Sequence, residues 1–550
     1  MQPVPPLYEA LPTPDEMSQW DEAAHALFDI PPVLLMENAA REALSVLREH
    51  APLSSECNVL IFAGRGNNGG DGAALARLLH DEGCNVLLCP TRAFAKLRSP
   101  AREHVNMARK IGVNIMPALN KGAPVLPLEW NSPHVVVDAI AGTGLRGELR
   151  DPELACVRLI NKFRDRSFIL SLDIPSGLCG YTGSPKPESV KAHATVTFEA
   201  GKPGLFMPGA AEYTGRLTVR RVGIPLAVRS TILPSWKLLA PKQGGFAAPS
   251  ALRHKGEAGK VLVVGGSEGM GGAPVLAARG ALRAGAGLVH VAFPGGLAPE
   301  GARAEMQLHP LGHETRFGRK HAEALKALIA GLRPDAVAIG PGLGREPGVA
   351  ALLEALLDME DRPRLVVDAD ALFFFHLKAA QRPGKKRSAL TPGLLSHNDI
   401  VTPHPGELAR MLPDSFFPGS AEYTGQPQSA RERIRQLQQN RPGALEAFTE
   451  ASPAVLVLKG AGTLIGQRDA PTALSPFAVP ALAAGGSGDV LSGIIAALVA
   501  GGCSSFDAAS LGVYLHARAG QLLSKTAPLG HFAGDIADAV PAVWKELCHN

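Results

Sequence analysis

The chain has few cysteines, few aromatic side chains and no excess of charge of either sign. Its seven cysteines, at positions 57, 84, 89, 156, 179, 503 and 548, are odd in number and include no Cys-x-x-Cys pair. Such sparse use argues against a disulfide framework and a zinc site, and is typical of a reducing compartment. Lysine and arginine total 55 against 51 acidic residues, a net charge of +4. Nucleic-acid binding usually needs a concentrated basic face, so we expect no nucleic-acid partner.

Long apolar runs and a secretion signal are also missing. Residues 1–6 have neither the basic start nor the apolar core of a signal peptide. The longest apolar stretches, such as 491–500, are well short of the roughly 20 residues that cross a bilayer. We therefore expect a soluble, cytoplasmic protein with no membrane partner.

What is present is an alternation of strands and helices in two halves. In each half, short apolar runs rich in β-branched residues alternate with helical stretches, which favours parallel sheets buried on both faces. Between 225 and 250 the pattern lapses into proline, glycine, lysine and serine, and we place a domain boundary there. At 550 residues the chain is long enough for two large α/β domains, which we bound at 1–230 and 240–550.

Three polar segments follow predicted strands of the first half. A glycine-rich turn at 64–72 leads into a helix, so its N–H groups can approach an anion. Two further strands are followed by 138–147, beginning with Asp138, and by 173–177, beginning with Asp173. Ligands bind at the carboxyl ends of parallel strands, so these segments should converge on one crevice. Their oxygen-bearing side chains suit a hard cation beside a phosphate-bearing ligand.

These segments, with residues 36–39, resemble the NAD(P)H-hydrate epimerase family over about residues 10–225. The resemblance implies a Rossmann-like three-layer domain that binds K⁺ through Asn68, Asp138 and Ser176. We also count Asp138 as a catalytic candidate, and Lys202 as a weaker site candidate. The residues that the resemblance implies hold the hydrated nicotinamide nucleotide are Asn67, Asn68, Gly69, Gly70, Asp71, Gly142, Thr143, Gly144, Leu145, Arg146, Gly147, Glu148 and Asp173.

The second half carries a different constellation. Gly485-Gly486-Ser487-Gly488-Asp489 opens an apolar helix, where N–H groups can hold a transferring phosphoryl group and the aspartate can take a proton from a hydroxyl. The other strand-end segments are 265–274, 340–344, 368–370, 402–407 and 459–463. Together they predict a phosphoryl-transfer site at the carboxyl edge of a second sheet.

This set resembles the ADP- or ATP-dependent NAD(P)H-hydrate dehydratase family over about residues 245–545, which implies a ribokinase-like α/β domain. Asp489 would be the catalytic acid/base. Ala273, Gly342 and His404 would line the hydrate site. The residues that would contact the adenine nucleotide are Lys459, Gly460, Ala461, Gly462, Thr463, Gly486, Ser487 and Gly488.

The combined resemblance implies a bifunctional metabolite-repair enzyme. It would epimerise R- and S-NAD(P)H hydrate and dehydrate the S form to NAD(P)H at the expense of ADP or ATP, with Mg²⁺ and K⁺ as cofactors. We expect a homo-oligomer. The alternative is a ribokinase-like small-molecule kinase fused to a non-catalytic nucleotide-binding module, because the Gly486–Asp489 motif alone fits both.

Overall fold

The computed structural model describes residues 7–93, 99–119, 121–247, 254–299, 301–377, 390–418 and 429–548. It divides into two compact units, a smaller one of residues 10–237 and a larger one formed by residue 238 onward together with those before residue 10. Across these described ranges, no helix is long and apolar enough to cross a membrane.

The elements alternate along both units. In chain order the strands are β1 (Tyr8–Ala10), β2 (Asn58–Ala63), β3 (Asn85–Pro90), β4 (Asn114–Ile115), β5 (Val135–Ala139), β6 (Phe168–Leu172), β7 (Ala194–Phe198), β8 (Arg216–Arg220), β9 (Trp236–Leu239), β10 (Lys260–Val264), β11 (Leu288–Pro294), β12 (Met306–Leu311), β13 (Ala336–Ile339), β14 (Arg364–Val367), β15 (Ile400–Val401), β16 (Val455–Leu458), β17 (Leu464–Gly466) and β18 (Thr472–Leu474). The α-helices are α1 (Pro14–Phe28), α2 (Pro32–Arg48), α3 (Asn67–Asp81), α4 (Ala101–Lys110), α5 (Glu153–Lys162), α6 (Ala211–Thr214), α7 (Leu226–Thr231), α8 (Gly272–Ala284), α9 (His321–Leu332), α10 (Pro347–Leu357), α11 (Pro405–Met411), α12 (Ala430–Gln439), α13 (Arg441–Ala451), α14 (Ser487–Ala500), α15 (Ser505–Ser524) and α16 (Ala533–Leu547).

The smaller unit is a three-layer sandwich around a parallel sheet in the order β4-β3-β2-β5-β6-β7-β8. Side chains of β2 alternate between its faces: Val59 and Ile61 pack with α2 and α3, whereas Leu60 and Phe62 pack with α5. Both faces are therefore covered by helices, which confirms the Rossmann-like three-layer prediction.

The larger unit has an 11-stranded sheet in the order β1-β9-β18-β17-β16-β15-β14-β13-β10-β11-β12. The strands from β16 to β12 pair in parallel, and β16, β17 and β18 pair antiparallel. Helices α8 and α14 pack closely on this sheet, and α14 is almost wholly buried. The N-terminal strand β1 belongs to this sheet, a position that the sequence pattern does not indicate.

The polar stretch before β16 contains two consecutive helices, α12 and α13. Residues 419–428 of that stretch lie outside the described residues.

Candidate functional sites

The first candidate site lies at the point in the smaller sheet where the order of the strands reverses. Strand β2 pairs in parallel with β3 on one side and with β5 on the other. In an open parallel sheet, ligands bind at the carboxyl ends of the strands that flank such a reversal. Strands β2, β5 and β6 are neighbours, and the segments that follow them are the three that the sequence analysis singles out.

Asp138 and Ser176 form the floor of this site. Asp138 is the second-last residue of β5 and is wholly buried. Its Oδ2 accepts the Ser171 hydroxyl and the Ser176 N–H, both at 2.8 Å, and its Oδ1 accepts the Ser176 hydroxyl at 2.5 Å. Burial raises the pKa of Asp138, although these hydrogen bonds oppose the shift. The carboxyl is thus held rigidly and does not reach solvent.

Asn68 brings an unsatisfied amide to the same place. It lies at the start of α3, 6% exposed, and both its Oδ1 and its Nδ2 are buried without a hydrogen-bond partner among the described residues. A Cβ on Gly142 would lie 3.4 Å from the Asn68 Cβ and 2.6 Å from Asp173 Oδ2, so only glycine fits between the two side chains. Leaving a buried amide unpaired costs about 1–3 kcal/mol, which a bound ligand would offset.

Asp173 is held by a buried lysine. The Lys202 ammonium, 1% exposed as a residue, donates to Asp173 Oδ1 and Thr197 Oγ1, both at 2.8 Å, and to the Phe198 carbonyl at 2.9 Å. Burial alone would raise the pKa of Asp173, but Lys202 brings it below its usual value. Asp71 behaves in the opposite way, since burial and then the charge of Asp173 raise its pKa well above the usual value. The pKa values of these two buried carboxyls are therefore shifted in opposite directions.

A cavity of about 220 Å³ opens beside this cluster. Five of the predicted substrate residues line it: Gly142, Thr143, Leu145, Arg146 and Gly147. Gly144 and Glu148 are exposed and do not line it, and Asn67 is exposed at the start of α3. Tyr181, whose hydroxyl donates to Asp15 Oδ2 at 2.6 Å, lines the cavity and was not predicted.

The second candidate site occupies the equivalent place in the larger sheet, where β10 pairs in parallel with β11 on one side and β13 on the other. The N–H groups of Gly266 and Ser267 donate to the Gly342 carbonyl at 2.9 and 2.7 Å, which joins the turns after β10 and β13. A Cβ on Gly342 would lie 3.3 Å from the Ala273 Cβ, so these two predicted hydrate-site residues are neighbours. A cavity of about 210 Å³ borders the same glycine-rich turn.

Asp489 lies in the first turn of α14, beside the N–H groups of the glycine-rich turn. Burial and then the negative charge of Asp368 raise the pKa of Asp489 to about 7. A carboxyl with a pKa near neutrality is suited to accept a proton from a hydroxyl.

The side chain of Lys459 lies beside the glycine-rich turn at the start of α14. Its ammonium donates to Asp368 Oδ1 at 2.7 Å, and a Cβ on Gly488 would lie 3.2 Å from its Nζ. Burial alone would lower the pKa of Lys459, but the carboxylates of Asp368 and Glu407 hold it above its usual value. Asp368 is 1% exposed, and its Oδ2 is buried without a partner among the described residues. A fixed positive charge thus stands next to the helix start that would receive a phosphoryl group.

The rest of the 459–463 loop is shaped by an arginine that the sequence pattern does not reveal. Arg441 is buried and donates to the carbonyls of Leu458 at 3.0 Å and Gly462 at 3.1 Å. The Thr463 hydroxyl donates to the Gly460 carbonyl at 2.8 Å. The loop is therefore fixed from within by these hydrogen bonds.

His404 has a local structural role besides its predicted place at the hydrate site. Its Nδ1 accepts the N–H groups of Gly406 at 3.0 Å and Glu407 at 3.3 Å, which caps α11. Burial and then the charge of Lys459 lower the pKa of His404. Because Nδ1 accepts these two N–H groups, the ring's proton lies on Nε2, which is 3.4 Å from Glu407 Oε1.

Ser487 is fixed by a second histidine. Its hydroxyl lies 3.0 Å from His516 Nε2, and both side chains are buried. Burial lowers the pKa of His516 to about 4, so the ring is neutral at physiological pH. His516 thus orients the start of α14 from the following helix.

Comparisons with known proteins match both units. A family model described as NAD(P)H-hydrate dehydratase matches residues 261–542, and one described as YjeF-related protein N-terminus matches residues 33–204. A bifunctional NAD(P)H-hydrate repair enzyme of Moorella thermoacetica is 35% identical over 97% of this chain and 96% of its own length. One of Coxiella burnetii is 35% identical over 88% of this chain and 89% of its own. An ADP/ATP-dependent NAD(P)H-hydrate dehydratase from Bacillus subtilis, co-crystallised with ATP/Mg²⁺, aligns with 55% of this chain and 94% of its own at 28% identity and a TM-score of 0.41.

Proposed function

The chain belongs to the family of bifunctional NAD(P)H-hydrate repair enzymes, and we propose that its smaller unit epimerises hydrated NADH or NADPH while its larger unit dehydrates the S epimer. The observation that carries the proposal is that Asp489 and the Lys459 ammonium lie side by side at the glycine-rich start of α14. Such a group transfers a phosphoryl from ADP or ATP to a hydroxyl.

The dehydration follows from these parts. Asp489 takes the proton of the substrate hydroxyl, whose oxygen then forms a bond to the terminal phosphorus as the nucleotide's bridging P–O bond breaks. Lys459 and the N–H groups at the start of α14 stabilise the charge on the transferring group. Phosphate then leaves carbon with its bonding electrons, the departing phosphate takes a proton from the neighbouring carbon, and the dihydronicotinamide double bond is restored. Mg²⁺ would arrive with the nucleotide and neutralise its phosphates.

The smaller unit is proposed to work with a different pair of groups. Asp71, whose pKa is raised by burial, is proposed as the proton donor, and Asp173, whose pKa is lowered by Lys202, as the acceptor in acid–base exchange at the hydroxyl-bearing carbon. Asp138, enclosed by its hydrogen bonds, is proposed as an ion ligand and not as the proton carrier. K⁺ would balance its charge and help to anchor the substrate.

The direct test is to mix the chain with both epimers of NADH hydrate, Mg²⁺, K⁺ and ADP or ATP, and to follow absorbance of NADH. Full recovery that requires nucleotide is the expected result. Recovery of one epimer alone would leave the smaller unit as a binding module, and no recovery would favour the kinase alternative.

The pKa of Asp489 predicts the pH dependence of dehydration. A base must be unprotonated, so kcat/KM should fall about tenfold per pH unit as the pH drops below about 7. Asp368→Asn removes a negative charge beside Asp489, so the fall in kcat/KM should begin at a lower pH. Asp358→Asn, at the exposed end of α10, should leave that pH unchanged. If kcat/KM of Asp368→Asn fell at the same pH as that of the wild type, the role assigned to Asp489 would be contradicted.

The orphaned amide of Asn68 makes the proposed K⁺ site testable without an activity assay. K⁺ at 100 times its dissociation constant should stabilise the smaller unit by about 2.7 kcal/mol relative to Na⁺ at equal ionic strength, since it binds only the folded state. Asn68→Ala should abolish this response in thermal unfolding, while Asn106→Ala on the exposed face of α4 keeps it. Equal unfolding midpoints of the wild type in the two salts would exclude the site.

A further inference from the structure

Two arginines of the larger unit lie against one aromatic ring. The guanidinium carbon of Arg345 is 5.4 Å from the centre of the Phe373 ring, and that of Arg410 is 5.2 Å from it. Phe373 is 38% exposed, so its ring is accessible beside the two guanidiniums. Arg345 follows the 340–344 turn directly, and Arg410 lies in the last turn of α11.

Of the two guanidiniums, Arg345 has a carboxylate partner among the described residues and Arg410 does not. Asp370 accepts Arg345 Nε at 2.8 Å through one oxygen, and its other oxygen accepts the Gly344 N–H at 3.1 Å. Arg410 has no carboxylate within 4.0 Å among the residues that the structure describes. Burial and then the charge of Arg345 lower the pKa of Arg410, while Glu407 and Asp370 oppose the shift. An anion placed between the two guanidiniums would relieve this repulsion.

The pair also borders the proposed hydrate site. Arg345 is three residues after Gly342, which lies against Ala273, and the charges of both arginines act on the His404 ring. The proposed function already assigns the phosphates of the nucleotide co-substrate to the start of α14, next to Lys459. The anion that these arginines would meet therefore belongs to the other substrate.

We propose that Arg345 and Arg410 bind the diphosphate of the hydrated dinucleotide, with Phe373 keeping both guanidinium planes in place. The planar donor fork of arginine matches a phosphate in a bidentate fashion, which the point charge of lysine does not. This assignment rests on the proposed function and deepens it. The pair would make the larger unit selective for whole dinucleotides over the hydrated nicotinamide riboside.

The test is steady-state dehydration by the full chain with three substrates: NADH hydrate, NADPH hydrate and the hydrate of reduced nicotinamide riboside, which has no diphosphate. Arg345→Gln and Arg410→Gln should each raise KM for both dinucleotide hydrates about 10- to 100-fold, because each removes charge-assisted hydrogen bonds. We expect little change in kcat, in KM for ATP or in KM for the riboside hydrate. Arg410→Lys should fall between the wild type and Arg410→Gln. The control is Arg283→Gln, whose partner Asp538 keeps Arg279.

Each other outcome overturns the assignment in a distinct way. An equal rise in KM for the riboside hydrate would mean a general effect on the site, and a rise for ATP would assign the pair to the nucleotide. An effect on NADPH hydrate alone would assign it to the 2′-phosphate, and no effect would remove any binding role. A wild-type chain that dehydrates none of the three would overturn the proposed function itself, and this assignment with it.

Discussion

Asp489→Asn is expected to lower kcat for nucleotide-dependent dehydration by about 10³-fold, within the range of roughly 10²–10⁴ for loss of a positioned base. Epimerisation should be unchanged, because the proposed epimerase residues all belong to the smaller unit. The amide keeps the shape of the carboxyl but cannot take a proton. Rates are compared from NADH absorbance with ATP saturating, and the approach to epimer equilibrium is followed chromatographically.

The matched control for this variant is Asp535→Asn. Asp535 also lies in the first turn of a helix of the larger unit, where its Oδ2 accepts the Phe532 N–H at 2.9 Å. An asparagine can keep that hydrogen bond, so dehydration should stay within about twofold of the wild type. Loss of both activities in Asp489→Asn would contradict the two-site arrangement. Full dehydration by Asp489→Asn would exclude Asp489 as the base.

The fold class could be predicted because buried parallel strands leave a strong local signal. The α/β prediction, with a Rossmann-like N-terminal domain and a ribokinase-like C-terminal one, is confirmed. Strands such as β12 escape prediction because a half-exposed edge has no continuous apolar run; four of its six residues are not buried. Strand β1 escapes because its pairing is set by residues far along the chain.

The residues of the candidate sites could also be predicted only in part. Strand-end aspartates could be predicted from position alone, since the carboxyl ends of parallel strands share an edge. Their partners could not, because the pairing is a tertiary event: Asp368 and Lys459 are 91 residues apart in the chain, and Asp173 and Lys202 are 29 apart. The predicted place of Lys459 among the adenine contacts stays a prediction, and its ammonium lies beside Gly488.

Asp173→Asn is expected to abolish epimerisation and to lower the free energy of unfolding of the smaller unit by about 3–5 kcal/mol. The loss follows because the Lys202 ammonium would stay buried without its counter-charge. Asparagine is the appropriate replacement, since Asp173 has φ +63°, in the left-handed region that asparagine and aspartate tolerate best. In assays with both epimers of NADH hydrate, only the S epimer should then be consumed beyond the slow spontaneous exchange.

A second variant separates the structural effect from the chemical one. In Asp173→Asn with Lys202→Met both buried charges are gone, and replacing a buried ion pair by uncharged groups is often neutral or stabilising. The double variant should therefore regain most of the stability, measured by hydrogen exchange of amides in β5 and β6, and should still not epimerise. Dehydration of the S epimer should stay intact in both variants. Epimerisation restored together with stability would mean that the pair only supports the fold, and that the proton acceptor lies elsewhere in the site.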